Sequence, residues 1–253
     1  MSFVCVNSFP KSGNTWLRYI LSHLLFDGSL ESVPDKYRSS IFAAPSISCR
    51  GAELRFYKSH DRVLLGQFGE KKIAHEFCLY IHRHPLDVFL SQLNHLFRSQ
   101  ALKNRLLRSE AWAWVHGARS VEDAVASGDI EYFFGVFLIY GTLQPHFPAA
   151  GSWQQHAAYW LDPPVKTYRL CYERMVDGDF SVLREILPLL CKDDTQLDAA
   201  LAAAAQDTKI DNGFFWKQKP GLWKEYVPRK CAQRFFEING KLVKRLGYQG
   251  GMD

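Results

Sequence analysis

The sequence predicts an α/β fold: a single domain with a central parallel β-sheet flanked by helices. Two observations predict this class. Short apolar runs rich in β-branched or aromatic residues alternate with segments of helical periodicity along the 253 residues, a pattern typical of parallel strands joined by helices. Residues 77–81 are apolar at every position, which indicates a strand buried on both faces.

The elements follow in chain order from the same patterns. Residues 3–9 are predicted to form the first strand, and the leucines and isoleucine of residues 17–25 recur at helical spacing. Pro85 suits the first position of a helix. No linker composition divides residues 1–253, so we predict one domain with a helical insert at roughly residues 94–160. Further strands are predicted at residues 54–57, 77–81 and 165–172, and further helices over residues 181–190, 195–205 and 229–246, where Gly247 ends the last helix.

Composition excludes several classes of protein. Apolar residues make up 47% and charged residues 23% of the chain, which argues against disorder, collagen and coiled coil. Lys and Arg number 31 against 26 Asp and Glu, a net charge of +5. This excess fits an anionic ligand but is too small to predict a nucleic-acid partner. No apolar run approaches the roughly 20 residues of a spanning helix, and no leader-like segment opens the chain, so we expect neither a membrane span nor a signal peptide.

The cysteines are far apart in sequence and form no C-x-x-C pair. Their spacing therefore predicts no zinc site. Several lie in apolar runs, where cysteine behaves as a small hydrophobe. We expect reduced thiols in a cytoplasmic protein. The cysteines are Cys5, Cys49, Cys78, Cys171, Cys191 and Cys231.

The most informative segment lies between the first strand and the first helix, in residues 8–16, Ser-Phe-Pro-Lys-Ser-Gly-Asn-Thr-Trp. A loop at this place directs backbone N–H groups toward an anion, and the helix dipole adds to the attraction. Gly13 permits close approach of the backbone, Lys11 adds a charge, and the hydroxyls of Ser12 and Thr15 add donors. The alternative is an ordinary strand–helix turn. The loop lacks the G-x-x-x-x-G-K-[ST] spacing of nucleotide triphosphatases, so it suits a phosphate without an obligatory metal.

Residues 10–16 resemble the P-K-S-G-T-T-W loop of the sulfotransferases that use 3′-phosphoadenosine 5′-phosphosulfate (PAPS), and only Asn14 departs from the commonest form. The resemblance implies that this loop binds the donor, with Lys11 neutralising charge on the bridging oxygen and Trp16 packing on the adenine. Helix core is the alternative role of Trp16. Donor contacts are accordingly expected from Lys11, Ser12, Gly13, Asn14, Thr15 and Trp16.

Residues 83–91 resemble a second signature of that family, R-x-P-x-D-x-x-x-S. The resemblance implies that Arg83 and Ser91 hold the 3′-phosphate. Arg83 follows a predicted buried strand, at the edge where α/β proteins bind ligands, and its planar fork suits a phosphate. The alternative is a surface arginine with an ordinary helix serine.

Residues 58–60, Lys-Ser-His, follow the second predicted strand and are similar to the K-T-H of the family. The resemblance implies that His60 is the general base that takes the proton of the acceptor, and that Lys58 stabilises the transferring group. Histidine suits this role because its unperturbed pKa lies near working pH; a structural histidine is the alternative. The remaining histidines near these motifs are expected to be structural: His82, His84, His95 and His116.

Two later segments extend the resemblance. Residues 151–160 are similar to G-S-W-x-x-H-x-x-x-W, and we interpret this segment, with His156, as a structural wall of the acceptor side. Tyr172 opens a segment that resembles Y-E-D-M, which implies that its ring touches the adenine. Arg174 replaces the acid of that motif, so contacts made by the acid are not expected here.

The last match is at residues 215–224, which resemble the F-R-K-G-x-x-G-D-W-K loop over the 3′-phosphate. The resemblance implies that Lys217 keeps that phosphate contact, and we expect Lys219 to compensate for the missing arginine. The residues that depart from this motif are Trp216, Gln218 and Leu222. The matches together span about residues 4–248.

The resemblance implies transfer of a sulfuryl group from PAPS to a hydroxyl or amine of a small-molecule, lipid or carbohydrate acceptor, with no metal required. The aromatic residues of segment 132–140 are mostly core, and some of them suit an apolar acceptor pocket. Homodimer formation stays open. A basic helix face indicates either plain solvation or an anionic acceptor, and its members are Arg98, Lys103, Arg105 and Arg108.

Two other functions stay open at this point. A P-loop kinase-like phosphotransferase would need a Mg²⁺-binding aspartate and a G-K-[ST] loop, and neither is apparent in the sequence. A nucleotide-binding module without turnover is compatible with the altered loop at residues 215–224, although the presence of Lys11, Lys58 and His60 argues against it.

Overall fold

The computed structural model describes residues 1–99, 118–143, 148–210, 217 and 219–251. The chain divides into two compact units. Unit 1 comprises Met1–Arg83 and Asp162–Phe215, and unit 2 comprises His84–Leu161 and Trp216–Asp253. The assignment of a single domain to residues 1–253, with an insert near residues 94–160, stays a prediction.

Unit 1 contains the central sheet, which has five strands within the described residues, in the order β2-β3-β1-β6-β7. β1 pairs in parallel with β3 and β6, and β6 pairs in parallel with β7. β2 runs antiparallel to β3 and adds an edge strand that the sequence did not predict. The predicted class, an α/β fold around a mainly parallel sheet, is therefore confirmed. The strands are β1 (Ser2–Asn7), β2 (Ser46–Cys49), β3 (Ala52–Ser59), β6 (His75–His82) and β7 (Thr167–Cys171), and a separate hairpin contains β4 (Gln67–Phe68) and β5 (Lys71–Lys72).

The helices match the periodic segments. Helix α2 begins at Pro85 as predicted. The helix predicted over residues 181–190 instead ends at Ile186 and is followed by a 3₁₀ turn, Leu187–Leu189, because Pro188 has no N–H to donate. Within the part of the chain that the structure describes, no helix has the length and apolarity needed to cross a bilayer. The α-helices are α1 (Asn14–Leu25), α2 (Pro85–Arg98), α3 (Val121–Ser127), α4 (Ile130–Tyr140), α5 (Trp153–Leu161), α6 (Tyr172–Val176), α7 (Ser181–Ile186), α8 (Asp194–Ile210), α9 (Trp223–Tyr226) and α10 (Arg229–Arg245).

The core of unit 1 packs one face of the sheet against helices α1 and α8. Val4 and Val6 of β1 are fully buried and belong to one cluster with Leu17 of α1. The alanine-rich helix α8 adds Ala200 and Ala204 to the same cluster, and their small side chains let its backbone lie close to the core. Burial of a Val or Leu side chain stabilises the fold by about 1.5–3 kcal/mol.

The opposite face of the sheet is also apolar and buried. Cys5, Tyr57 and Cys78 are neighbours across β3, β1 and β6, and each is at most 1% exposed. Burial on both faces explains why residues 77–81 lack alternating polarity.

Unit 2 has an aromatic core that α2 shares with α4. Phe89 of α2 packs against Phe134 and Phe137, with ring centroids 5.4 Å apart in both pairs. Tyr132 and Tyr140, in contrast, are exposed. Three of the five aromatic residues in segment 132–140 are therefore in the core, and the two tyrosines are not.

The expectation of six reduced thiols is wrong for two of them. Cys49 at the end of β2 and Cys191 after the 3₁₀ turn form a disulfide between positions 142 residues apart. Sequence spacing carries no signal for such a pair, because only the fold of unit 1 brings the two positions together. The cysteines therefore no longer indicate a cytoplasmic location, since disulfides persist mainly in oxidising compartments. The free cysteines among the described residues are Cys5, Cys78, Cys171 and Cys231.

Candidate active site

The predicted site residues of unit 1 follow the carboxyl ends of parallel strands. The loop of residues 8–16 follows β1, His60 follows β3, Arg83 follows β6 and Tyr172 follows β7. Parallel strands end at the same edge of a sheet, which is where open α/β sheets bind ligands. Unit 1 therefore brings these four features to one edge.

The loop after β1 has an unusual backbone. Lys11 has a φ of 72° and Gly13 a φ of 103°, and helix α1 begins directly afterwards at Asn14. A left-handed conformation is unfavourable for a non-glycine residue such as Lys11, and strain of this kind concentrates at functional sites. Asn14, which departs from the family loop, donates its Nδ2 hydrogen to the carbonyl of Val6 at 3.2 Å, so it ties the loop to β1.

Gly13 is required by space as well as by its φ. A Cβ atom at this position would lie 2.7 Å from Cδ2 of Tyr172 and 3.0 Å from Cδ1 of Ile81. The ring of Tyr172 is 5.8 Å from that of Trp16 in an edge-on arrangement, and Tyr172 is only 6% exposed. Tyr172 thus packs against the loop at Gly13 and Trp16, while its contact with an adenine stays a prediction.

Arg83 is a buried cation with little compensation. It is 6% exposed, and its guanidinium Cζ lies 4.5 Å above the ring of Tyr172. Among the residues that the structure describes, no carboxylate pairs with Arg83, and its buried Nε has no hydrogen-bond partner. Burial of an uncompensated charge is costly, so this arrangement is best completed by an anion.

His60 is held in one orientation by Ser8. The Nδ1 atom of His60 lies 2.7 Å from the main-chain carbonyl oxygen of Ser8 and 3.2 Å from its hydroxyl oxygen. A carbonyl only accepts, so Nδ1 carries the proton in the neutral ring and Nε2 has the lone pair. This is the tautomer in which Nε2 acts as a base.

Lys58 is paired with a residue that sequence reasoning missed. Its Nζ lies 2.6 Å from Oδ2 of Asp35, and both side chains are largely buried. Burial lowers the pKa of Lys58, and the Asp35 carboxylate opposes that change. Two backbone hydrogen bonds support the pair, from Lys58 N to the carbonyl of Pro34 at 2.8 Å and from Lys36 N to the carbonyl of Lys58 at 3.2 Å. Asp35 belongs to no motif, so the sequence around it did not predict this pairing with Lys58.

A second buried pair lies on the other side of His60. The Asp61 carboxylate accepts hydrogen bonds from Lys36 Nζ and from the hydroxyl of Tyr37. Burial and this carboxylate raise the pKa of Tyr37. The segment at residues 34–37 therefore contacts both Lys58 and Asp61, and His60 lies between these two residues in the sequence.

The predicted residues of unit 2 have different surroundings. Ser91 lies on α2 and is buried. Lys217 contacts the hydroxyl of Tyr226 and lies 2.8 Å from the carboxylate of Glu122. Lys219 lies 3.1 Å from the carboxylate of Glu225. Both lysines are exposed and each has an acidic partner in its own unit. Six residues that the sequence analysis singled out lie outside the described residues, namely Lys103, Arg105, Arg108, His116, Trp216 and Gln218.

Three of the histidines expected to be structural are buried, namely His82, His84 and His156, whereas His95 of α2 is partly exposed. Burial lowers the pKa of His82 to about 4, with a further contribution from Arg169. His84 stacks on Trp223 with ring centroids 5.0 Å apart and planes at 5°. His156 of α5 is fully buried.

Known structures share the fold of this chain. No protein-family model and no curated protein matches the sequence. Mouse sulfotransferase SULT7A1 complexed with PAP matches with a TM-score of 0.59 and 18% identity, over 96% of this chain and 84% of that one. Retinol dehydratase in complex with androsterone and inactive cofactor PAP matches with a TM-score of 0.52 and 17% identity, over 96% of this chain and 80% of that one. The chain therefore has the cytosolic-type sulfotransferase fold that its motifs predicted.

Proposed function

We propose that this protein is a sulfotransferase that moves a sulfuryl group from PAPS to a hydroxyl or amine. The observation that carries the proposal is Arg83, a buried guanidinium without a carboxylate partner among the described residues, which follows β6 at the edge of a sheet where β1 leads into a P-K-S-G loop. An anion completes such a site, and the shared fold with PAP-bound proteins makes a 3′-phosphoadenosine nucleotide the best candidate. The acceptor belongs to the small-molecule, lipid or carbohydrate classes.

The loop after β1 supplies the donor-binding groups of unit 1. Its left-handed residues Lys11 and Gly13 directly precede the N-terminus of α1, and the N-terminus of a helix attracts an anion. Donor contacts come from Lys11, Ser12, Gly13, Asn14, Thr15, Trp16 and Tyr172 around this loop, and the 3′-phosphate is bound by Arg83, Ser91, Lys217 and Lys219.

His60 performs the proton transfer. Because Ser8 fixes the proton on Nδ1, the lone pair of the ring is on Nε2, and this atom takes the proton of the acceptor hydroxyl. The acceptor oxygen then bonds to sulfur, and the bond from sulfur to the bridging oxygen breaks. The electron pair of that bond leaves with the 5′-phosphate of adenosine 3′,5′-bisphosphate (PAP).

Two lysines stabilise the charge that moves during this step. Lys11 neutralises the bridging oxygen as it becomes a phosphate oxygen, and Lys58 stabilises the sulfuryl group in transit. Positioning and fixed charges supply most of the catalysis in related in-line transfers. The Asp35 carboxylate opposes the lowering of the Lys58 pKa by burial, which favours the charged form of Lys58 during the transfer.

A thermal-shift comparison of PAP, ADP and ATP, each with and without Mg²⁺, tests the proposal. A ligand at about 100 times its dissociation constant stabilises a protein by about 2.7 kcal/mol, which raises the melting temperature of a chain of this size by about 5 °C or more. We expect PAP alone to produce this shift, with no dependence on Mg²⁺. Preference for ATP with Mg²⁺ would support the kinase-like phosphotransferase instead, and no shift with any nucleotide would contradict donor binding.

A further inference from the structure

Asp87, in the first turn of α2, holds the chain near its C-terminus by both carboxylate oxygens. Its Oδ2 accepts the N–H of Gly221 at 2.7 Å, and its Oδ1 accepts the N–H of Trp223 at 2.9 Å. Asp87 is 1% exposed. A hydrogen bond to a buried carboxylate is stronger than one between neutral groups, so these two hydrogen bonds fix the backbone of residues 221–223.

His84, the residue that directly precedes α2, also contacts a side chain of that segment. The imidazole of His84, three residues before Asp87, stacks on the indole of Trp223 at 5.0 Å with nearly parallel planes. Gly221 has a φ of 78°, and the N–H of Lys224 returns to its carbonyl at 3.1 Å. Residues 219–224 are called the anchored turn below. The anchored turn is held by two hydrogen bonds from its main-chain N–H groups to the Asp87 carboxylate and by the stacking of Trp223 on His84.

The anchored turn begins with Lys219 and follows Lys217. Neither lysine is fixed by burial, because their side chains are 65% and 39% exposed. Their carboxylate partners, Glu225 and Glu122, form exposed pairs that contribute little to stability. The anchored turn is thus the fixed part of the chain that contains Lys219 and follows Lys217.

We propose that Asp87 is a positioning residue for the 3′-phosphate: by holding the anchored turn, it places Lys217 and Lys219 to bind that phosphate. This inference rests on the proposed function, in which both lysines contact the nucleotide. Without the carboxylate, the N–H groups of Gly221 and Trp223 lose their acceptors and the lysines lose their fixed support.

Calorimetric titration of wild type and Asp87→Asn with PAP and ADP tests the inference. Loss of the support for both lysines predicts that the PAP dissociation constant rises about 5–10-fold, within the combined effect of losing the two lysines themselves, whereas that of ADP, which has no 3′-phosphate, stays within about 2-fold. Asp123→Asn is the matched control, since Asp123 occupies the same helical position in α3 and its carboxylate accepts the N–H of Arg119 instead. Equal losses for PAP and ADP, or no loss, would overturn the role.

A second background separates positioning from general stability. In a protein carrying Lys217→Ala and Lys219→Ala, Asp87→Asn should cost no further PAP affinity, because the groups that it positions are gone. A full additional loss there would show that Asp87 acts by another route. Wild-type protein that fails to bind PAP would overturn the proposed function, whereas normal PAP binding by wild type and Asp87→Asn alike would overturn only this inference.

Amide hydrogen exchange keeps the inference testable if Asp87→Asn folds poorly. In the wild type, the amides of Gly221 and Trp223 should exchange slowly, and binding of PAP should slow the amides of Lys217 and Lys219 further. Fast exchange at Gly221 and Trp223 in the wild type would contradict the anchor directly.

Discussion

The cations at the sheet edge of unit 1 and those near the C-terminus in unit 2 differ in burial and in compensation. Arg83 is 6% exposed and has no carboxylate partner among the described residues. Lys217 and Lys219 are exposed, and each has a glutamate beside it. A buried, uncompensated cation gains most from an incoming phosphate, whereas an exposed, paired lysine must first leave its carboxylate. Residues that match motifs of the same family are therefore not expected to contribute equally to the free energy of phosphate binding.

The largest effect is expected at the sheet edge of unit 1, from His60→Ala. Loss of a general base lowers turnover by about 10²–10⁴-fold, and the affinity for PAP should stay unchanged, because the ring is held on the Ser8 side of the loop. Turnover is measured as PAP release from PAPS with a panel of phenols, alcohols and amines, and Ser8→Ala serves as the control that keeps the main-chain carbonyl. Near-normal turnover of His60→Ala would remove His60 as the base.

The next effect is expected from Arg83→Ala. Each hydrogen bond to a charged group contributes about 1.5–3 kcal/mol, so loss of the guanidinium should weaken PAP binding by about 10–100-fold. Calorimetry measures the dissociation constant, and Arg83→Lys is the control, since it keeps the charge without the planar fork. An unchanged dissociation constant in Arg83→Ala would remove Arg83 from the site and break the comparison.

The smallest effects are expected at the C-terminal lysines. Lys217→Ala and Lys219→Ala should each weaken PAP binding by only about 2–5-fold, because each cation already has a carboxylate partner and is screened by solvent. Glu122→Gln should in turn strengthen PAP binding slightly, since it releases Lys217. Calorimetric titrations with PAP at low and at high salt measure the dissociation constants of these variants. A loss at Lys217 as large as that at Arg83 would reverse the comparison.

Local features of this protein were predictable from the sequence. The periodicity of residues 17–25 placed α1, and the apolar run at residues 77–81 placed β6, because both patterns reflect burial that neighbouring residues share. The loop at residues 8–16 was also predictable, because a glycine and the start of a helix affect the backbone conformation of only a few neighbouring residues. The short strand β2 and the hairpin of β4 and β5 were missed; they contain few residues, and their pairing rather than their pattern defines them.

The sequence by itself determined the α/β class, the place of the candidate phosphate-binding loop and the identities of His60, Lys58 and Arg83 as candidates, because each depends on residue type and short spacing. Only the tertiary structure decided their partners. Asp35 lies 23 residues from Lys58, Ser8 lies 52 from His60, and Asp87 lies 134 from Gly221. Such contacts depend on how the strands and helices pack, and so does the Cys49–Cys191 disulfide, which corrected the prediction of reduced thiols. Packing is a property of the whole chain, and no local pattern encodes which distant carboxylate or carbonyl will meet a given cation or histidine.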